Sequence, residues 1–238
     1  MFELFITLLI ANIIAVTIVI LVIKNLKQII KLIPKSITND YNYLSEIAKR
    51  GGILFLGDSI TEFYNVGGFY SGYLVHNRGV AGNTTEQLFV RLYKNVYPIK
   101  PNKIFLLIGT NDLGQGKTVD ETVEGCISII NALKENLPKS KLYVESILPV
   151  NDNISKISKR MVGVRCNRDI DLVNEKVQGF CKEKNIDYID LNSHLKDESG
   201  KLDISFTFDG LHPNFDGYIK ITSLLESYVK DNKKEMQK

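Results

Sequence analysis

Short apolar runs alternate with helical patterns along the chain from residue 40 onward. Three of the five runs are short and mainly apolar, which is typical of strands buried on both faces of a sheet. Because alternating strands and helices favour a parallel sheet with helices packed on both sides, we predict an α/β fold. The predicted strands are residues 52–57, 73–78, 103–109, 141–148 and 186–191, and the predicted helices are residues 41–50, 84–97, 120–136, 165–184 and 215–230.

A run of 20 residues without a charged side chain, residues 4–23, precedes this region. At a helical rise of about 1.5 Å per residue, the run is long enough to cross about 30 Å of hydrocarbon. A cleaved signal peptide is the alternative, but the three residues before the run include no lysine or arginine, and no small-residue cleavage site follows it. We therefore predict a transmembrane helix that stays attached to the chain.

Residues 24–35 place three lysines on one helical face and apolar side chains mostly on the other, until Pro34 ends the helical run. Such a segment is expected to lie at the lipid headgroups, although a solvated connecting helix has the same pattern. We divide the chain into a membrane helix with a basic linker, residues 1–36, and a second domain, residues 37–238. Because the lysines follow the apolar run and none precedes it, the positive-inside rule favours a cytoplasmic second domain.

Charge, cysteine and histidine content argue against several classes of function. The 202 residues after residue 36 contain 26 basic and 26 acidic side chains, so the domain has no basic footprint for nucleic acid. The three cysteines show no C-x-x-C spacing, and the three histidines include no H-E-x-x-H pair. We therefore predict neither a disulfide framework nor a metal site.

Polar motifs follow the first three predicted strands, and a fourth precedes the last helix. Ligands of parallel α/β sheets bind at the carboxyl ends of the strands, which is where these motifs are expected to meet. Each motif alone also has a purely structural explanation: Ser59 and Glu62 fit the S-x-x-E capping box, and Asn111 can cap a helix. The motifs are "GDS" (57–59), "NRGVAGNTT" (77–85), "GTND" (109–112) and "DGLHPN" (209–214).

Together the motifs contain every part of an acyl-transfer site. Ser59 provides a hydroxyl nucleophile, His212 a base, and Asp209 a carboxylate three residues away that can orient the imidazole. The backbone N–H groups of Ser59 and Gly82 and the side-chain amide of Asn111 can converge on a developing oxyanion. The sequence therefore predicts that Ser59 both begins a helix and acts as the nucleophile.

These four motifs, in this order, resemble the four blocks of the SGNH or GDSL hydrolases. The stretches "NRGVAGNTTEQLFVRL" and "SILPV" are most similar to the branch that includes platelet-activating-factor acetylhydrolase subunits and bacterial acyl esterases. The resemblance, over residues 51–226, implies a three-layer α/β/α flavodoxin-like fold and serine esterase chemistry without a metal or cofactor. It implies the same roles for Ser59, Asp209, His212, Gly82 and Asn111. One departure is Asn83, where relatives often have aspartate.

The expected function is hydrolysis of an acyl ester, such as a lysophospholipid, through an acyl-enzyme intermediate. The main alternative is removal of O-acetyl groups from cell-envelope carbohydrate. A non-catalytic module that binds acylated ligands and a scaffold that acts through its anchor are further alternatives. The expected partners are the ester substrate and membrane lipid. Residues 151–162, the least regular stretch, are expected to form a mobile flap over the site.

Overall fold

The computed structural model describes residues 2–230 and divides into two units, Met1–Asp40 and Tyr41–Lys238. Helix α1 (Phe2–Ile47) begins in the first unit and includes the apolar window Ile6–Leu26, whose described side chains are exposed. This confirms a long apolar helix, and its length and composition suit either a membrane anchor or a signal sequence. The predicted lysine face includes Lys27 and Lys31, whose side chains lie outside the described residues. The division into domains 1–36 and 37–238 stays a prediction.

The prediction that Pro34 ends the helical run is wrong, because α1 continues through it. A proline removes one backbone hydrogen bond and crowds the preceding turn, but a long helix with intact turns on both sides can continue past it. The hydroxyl of Thr38 donates to the Pro34 carbonyl oxygen at 2.9 Å, so this turn keeps a local partner.

The second unit is built around a parallel sheet, as predicted. Among the described residues the sheet has five strands in the order β2-β1-β3-β4-β5. The chain runs from β1 to β2 on one side and then returns to β3 on the other, so the winding reverses next to β1. The strands are β1 (Ile53–Gly57), β2 (Val75–Gly79), β3 (Lys103–Leu107), β4 (Lys141–Glu145) and β5 (Asp187–Ile189).

Helices follow every strand, and short helices lie directly after β1 and β3. Beyond α1 they are α2 (Ser59–Glu62), α3 (Val66–Phe69), α4 (Thr85–Asn95), α5 (Thr110–Gly114), α6 (Val119–Asn136), α7 (Lys156–Val162), α8 (Asn167–Glu183) and α9 (Phe215–Lys230). Three 3-10 turns, among the described residues, are Tyr97–Ile99, Ser193–Leu195 and Ile204–Phe206.

Two apolar cores cover the two faces of the sheet. Alternate strand residues such as Leu54 and Leu106 pack with α4, α6 and α8, whereas their neighbours pack with α2, α3 and α9. On the second face the rings of Phe55, Phe105 and Tyr143 stack across three adjacent strands, with centroids 5.1 and 4.8 Å apart. This is the predicted three-layer α/β/α arrangement.

The structure corrects two local predictions. The third and fourth strands end at residues 107 and 145, earlier than the predicted 109 and 148, and Gly109 has φ +123° as N-cap of α5. Residues 151–162 are also more regular than expected, because Ser155 and Ser158 form a capping box at the start of α7.

Glu145, the last residue of β4, is a buried carboxyl group. Its Oε1 atom has no hydrogen-bond partner among the described residues. Burial raises the pKa of Glu145 to about 8, because the charged form is poorly solvated there. The folded protein therefore keeps this side chain neutral at pH 7, whereas the unfolded chain ionises it above its ordinary pKa of 4.5.

We predict that Glu145→Gln stabilises the protein at neutral pH but not at pH 5. Below about pH 4.5 both states of the wild type are protonated. Between 4.5 and 8 folding requires proton uptake, so the wild-type free energy of unfolding falls as pH rises. The variant lacks this loss. The difference in free energy of unfolding between variant and wild type is therefore expected to grow by on the order of 3–5 kcal/mol between pH 4.5 and 8. Urea unfolding in detergent at several pH values measures it. The exposed Glu175→Gln is the control, and a pH-independent difference contradicts the prediction.

Candidate active site

The "GDS" turn joins β1 to α2 and sets the direction of the Ser59 side chain. Asp58 is the N-cap of α2, and its Oδ1 accepts from the Ile60 N–H at 3.0 Å. The helix begins at Ser59, as predicted, but Ser59 and Glu62 do not form the capping box that was the structural alternative for this motif. The Glu62 carboxylate instead accepts from the Ala81 N–H in the loop after β2. Because Asp58 caps the helix, the Ser59 hydroxyl is available for other contacts.

Ser59, His212 and Asp209 form a continuous hydrogen-bonded chain. Ser59 Oγ lies 2.9 Å from His212 Nε2, and His212 Nδ1 lies 2.7 Å from Asp209 Oδ2. Burial tends to raise the pKa of Asp209, but hydrogen bonds from the His212 ring and from backbone N–H groups outweigh it and lower that pKa. An ionised Asp209 can only accept, so Nδ1 of His212 holds the proton and Nε2 is free to accept one from Ser59.

The loop that presents Asp209 and His212 is held by contacts that the sequence analysis did not identify. Thr207 Oγ1 donates to the His212 carbonyl oxygen at 2.7 Å and accepts from the Gly210 N–H at 2.9 Å. Gly210 has φ +82°, and a Cβ there would lie 2.0 Å from the Asn151 carbonyl oxygen. Only glycine fits this turn. The "DG" pair was the available sequence signal for it.

Gly82 and Asn111 follow the two strands that flank β1: Gly82 lies on the loop after β2, and Asn111 lies in the first turn of α5 after β3. Gly82 has φ +78°, and a Cβ at this position would meet nothing within 4 Å, so the space beside its backbone is open. Asn111 Nδ2 donates to the Asn83 carbonyl oxygen at 3.0 Å, which connects α5 to the loop after β2. Because the amide has two N–H bonds, one remains for a further acceptor.

Arg165 is the main site residue that the sequence analysis missed. Its Nη2 donates to Asn111 Oδ1 at 3.0 Å, and its Nε donates to the Thr110 carbonyl oxygen at 2.8 Å. Nη1 reaches the Val162 carbonyl oxygen at the end of α7. The guanidinium thus fixes the oxygen of the Asn111 amide on its own side and turns the NH₂ group away. No local motif predicts these contacts, since Arg165 lies 54 residues from Asn111.

Arg91 holds the second loop against the end of β1. Its Nε donates to Asn83 Oδ1 at 2.7 Å, and its Nη2 donates to the Gly57 and Arg78 carbonyl oxygens at 2.9 Å. Burial lowers the pKa of Arg91 to about 10, so it stays charged at neutral pH. Burial also raises the pKa of the neighbouring Asp58 to about 7. Asn83, the departure noted above, therefore acts as a neutral acceptor for a buried cation.

Two exposed aromatic rings flank the imidazole of His212. The Phe63 ring centroid lies 5.4 Å from that of His212, and the Phe208 centroid lies 6.3 Å from it. Their side chains are 51% and 65% exposed, which is unusual for large apolar groups beside a polar site. Within residues 2–230 no cluster of three or more His, Cys, Asp or Glu side chains is arranged to hold a metal ion.

A family model described as "GDSL-like Lipase/Acylhydrolase family" matches residues 55–219. The chain belongs to this family. The resemblance predicted from the four motifs is thus confirmed, and the coarse activity is that of a GDSL-family esterase or acylhydrolase. The matched range contains all five predicted site residues.

Solved structures share this fold. A Streptococcus pneumonia protein, provisionally assigned as a platelet activating factor, aligns with a TM-score of 0.81 and 30% identity over 88% of this chain and 98% of its own. A GDSL-like lipase from Bacteroides thetaiotaomicron aligns with a TM-score of 0.71 and 22% identity over 83% and 97% of the two chains.

A curated relative is a longer chain whose name refers to a cytidylyltransferase, not to a lipase or acylhydrolase. The N-acylneuraminate cytidylyltransferase of Escherichia coli is 24% identical over 197 residues, which are 81% of this chain and 42% of that enzyme. The chain therefore spans less than half the length of this relative.

Proposed function

We propose that this protein is a serine esterase that cleaves a carboxylic ester through an acyl-enzyme intermediate. The observation that supports this most directly is the hydrogen-bonded chain from Ser59 through His212 to Asp209, in a member of an acylhydrolase family. Both contacts have the length and order that nucleophilic catalysis by a serine requires.

In the first half-reaction Ser59 Oγ attacks the ester carbonyl carbon while His212 Nε2 takes the hydroxyl proton. Asp209 stabilises the imidazolium that forms. The backbone N–H groups of Ser59 and Gly82 and the free N–H of Asn111 donate to the oxyanion. When the tetrahedral intermediate collapses, the C–O bond to the alcohol breaks and His212 returns its proton to the leaving oxygen. Water then attacks the acyl-enzyme by the same route, which releases the acid and regenerates Ser59.

For the substrate we favour an ester with an apolar chain, such as a lysophospholipid. Phe63 and Phe208 support this choice, because both rings are exposed and both flank the base. An alkyl chain packed against them would remove apolar surface from water, at about 25 cal/mol per Å². An acetyl group is too small to use that surface.

An O-acetyl ester on a carbohydrate is the second candidate. It is supported by the curated relative, whose name refers to an N-acylated sugar acid. The hydrogen-bonded chain of Ser59, His212 and Asp209 argues against a module that binds an ester without cleaving it. Binding alone does not need a serine aligned with an imidazole and a carboxylate.

We propose that the apolar helix anchors the protein in a membrane and that the catalytic unit faces the cytoplasm. The window Ile6–Leu26 is long enough to span the hydrocarbon region. Lys24 lies near the C-terminal end of this window and further lysines follow it, whereas residues 1–5 contain none, and this asymmetry favours a cytoplasmic location for the catalytic unit.

The nucleophile can be tested with Ser59→Ala. We expect hydrolysis of p-nitrophenyl butyrate to fall by about 10³-fold or more, because the acyl-enzyme cannot form. A fluorophosphonate probe is expected to label the wild type and the exposed-serine control Ser128→Ala, but not the variant. Retained turnover in Ser59→Ala contradicts the mechanism. A wild type that neither reacts with the probe nor cleaves any ester supports the binding module instead.

The contact between Arg165 and Asn111 can be tested with a double-mutant cycle. Asn111→Ala is expected to lower kcat by about 10²–10³ with little change in KM, because an oxyanion donor acts mainly in the transition state. Arg165→Ala should lower kcat in the wild type but add little in the Asn111→Ala background, since Arg165 positions that amide. The exposed Arg50→Ala is the control. An equal loss in both backgrounds shows that Arg165 acts only through the fold.

The substrate class can be tested with p-nitrophenyl esters of different length. We expect a higher kcat/KM for the octanoate than for the acetate. Phe208→Ala and Phe63→Ala should lower the octanoate value by about tenfold and leave the acetate value within about twofold. Tyr93→Ala, which removes an exposed aromatic ring on α4, is the control. Preference for the acetate, with faster turnover of O-acetylated sugar than of lysophosphatidylcholine, favours the second candidate.

The anchor can be tested by fractionating cells that express the full chain. We expect the uncleaved chain, identified by its intact mass, to remain in the membrane fraction after a carbonate wash. Replacing Ile13 and Ile14 with lysine should release the chain, because each charge at the centre of a span costs about 3 kcal/mol. A mature chain that lacks the apolar helix identifies a signal peptide. A C-terminal reporter that is active only outside the cytoplasm overturns the orientation.

A further inference from the structure

The segment that runs from the end of β4 into the first residues of α8 contains a concentrated positive charge. Residues 151–168 include five basic side chains and one acidic side chain, Asp152, whereas the 202 residues after residue 36 are electrically balanced. Asp152 is already paired, since its Oδ1 lies 2.8 Å from Lys201 Nζ. The excess charge of the segment is therefore not compensated by its own carboxylate.

Exposed apolar side chains lie among these basic groups. One face of helix α7 is buried through Ser158 and Val162, which are four residues apart. Ile157 and Met161 are also four residues apart and share another face, where they are 67% and 38% exposed. Val164, just beyond the helix, is 70% exposed. We call this set the α7 surface, and its members are Ile157, Met161 and Val164 together with the exposed Lys156, Lys159 and Arg160.

The α7 surface is attached to the catalytic loops at both ends. Before the helix, the Asn151 N–H donates to the Gly210 carbonyl oxygen at 2.8 Å, next to Asp209. After the helix, Arg165 donates to Thr110 and Asn111. These contacts fix the segment beside the reactive groups, so a partner that covers the α7 surface is brought close to the triad.

We propose that the α7 surface docks on an anionic phospholipid membrane. The apolar side chains enter the boundary between headgroups and acyl chains, and the basic side chains contact lipid phosphates. The combination of apolar and basic side chains favours this partner. A neutral bilayer would have no net charge to attract the basic side chains, and a free anion would leave Ile157 and Val164 without an apolar contact. The inference rests on the proposed esterase function and deepens it, since it identifies the substrate as an ester presented at a lipid surface.

The test uses the absence of tryptophan from the sequence. A V164W variant of the full chain has a single tryptophan, and it is reconstituted into vesicles of phosphatidylcholine alone or mixed with phosphatidylglycerol. We expect a blue shift of its emission, and quenching by brominated acyl chains, only in the anionic vesicles. High salt should reduce both effects. The matched control is V90W on α4, an equally exposed valine outside the α7 surface.

A charge-reversed protein, with Lys156→Glu, Lys159→Glu and Arg160→Glu added to V164W, is expected to lose the blue shift. Equal emission in the two vesicle types, or a shift that survives charge reversal, overturns the proposal. A shift without lipid that grows with protein concentration identifies a second copy as the partner and also overturns it. Hydrolysis of p-nitrophenyl acetate is measured for every protein. Intact hydrolysis without docking overturns only this inference, whereas its absence in the wild type overturns the proposed function.

Discussion

The hydrogen bond from Ser59 to His212 joins two loops that are 153 residues apart, and its 2.9 Å length depends on packing beneath both loops. Helix α9 provides that packing. The Tyr218 hydroxyl on α9 donates to the Ile60 carbonyl oxygen at 2.9 Å, and its ring stacks on Tyr64 with centroids 5.1 Å apart. The turn that presents Ser59 and the helix that follows His212 are therefore fixed to each other directly, independently of the catalytic contact.

Two arginines, the buried Arg91 and the half-buried Arg165, hold the other parts of the site in place. Arg91 and Arg165 donate mainly to backbone carbonyl oxygens at the ends of strands and helices. A planar group with five donors can hold several such oxygens at once, which a lysine cannot do. Glycines at the same loops leave the space that these contacts need. A Cβ at Gly114, for example, would lie 2.2 Å from Arg165 Cζ.

The sequence predicted what depends on local pattern. Buried strands are recognisable in the sequence as apolar runs. In a parallel sheet the carboxyl ends of β1, β2 and β3 lie at one edge. The sequence alone could therefore place Ser59, Gly82 and Asn111 at that edge. Contacts between distant segments have no such signal. The cap at Asp58 was missed because Ser59 and Glu62 also fit the capping-box pattern, whereas in the fold the Glu62 carboxylate accepts from the distant Ala81 N–H. Arg165 was missed because its partners at the site, Thr110 and Asn111, lie 55 and 54 residues away. The catalytic roles of the five residues stay proposals.

The same physical reasoning connects the site to its surroundings. The guanidinium of the half-buried Arg165 donates to oxygens of two elements: the Val162 carbonyl oxygen at the end of α7, and the Thr110 carbonyl and Asn111 side-chain oxygens at the start of α5. A displacement of α7 would therefore either break hydrogen bonds of the Arg165 guanidinium or move the Asn111 amide with it. The position of the amide that faces the substrate is consequently coupled to the position of an exposed helix, which gives a surface event at α7 a direct physical route to the chemistry at Ser59.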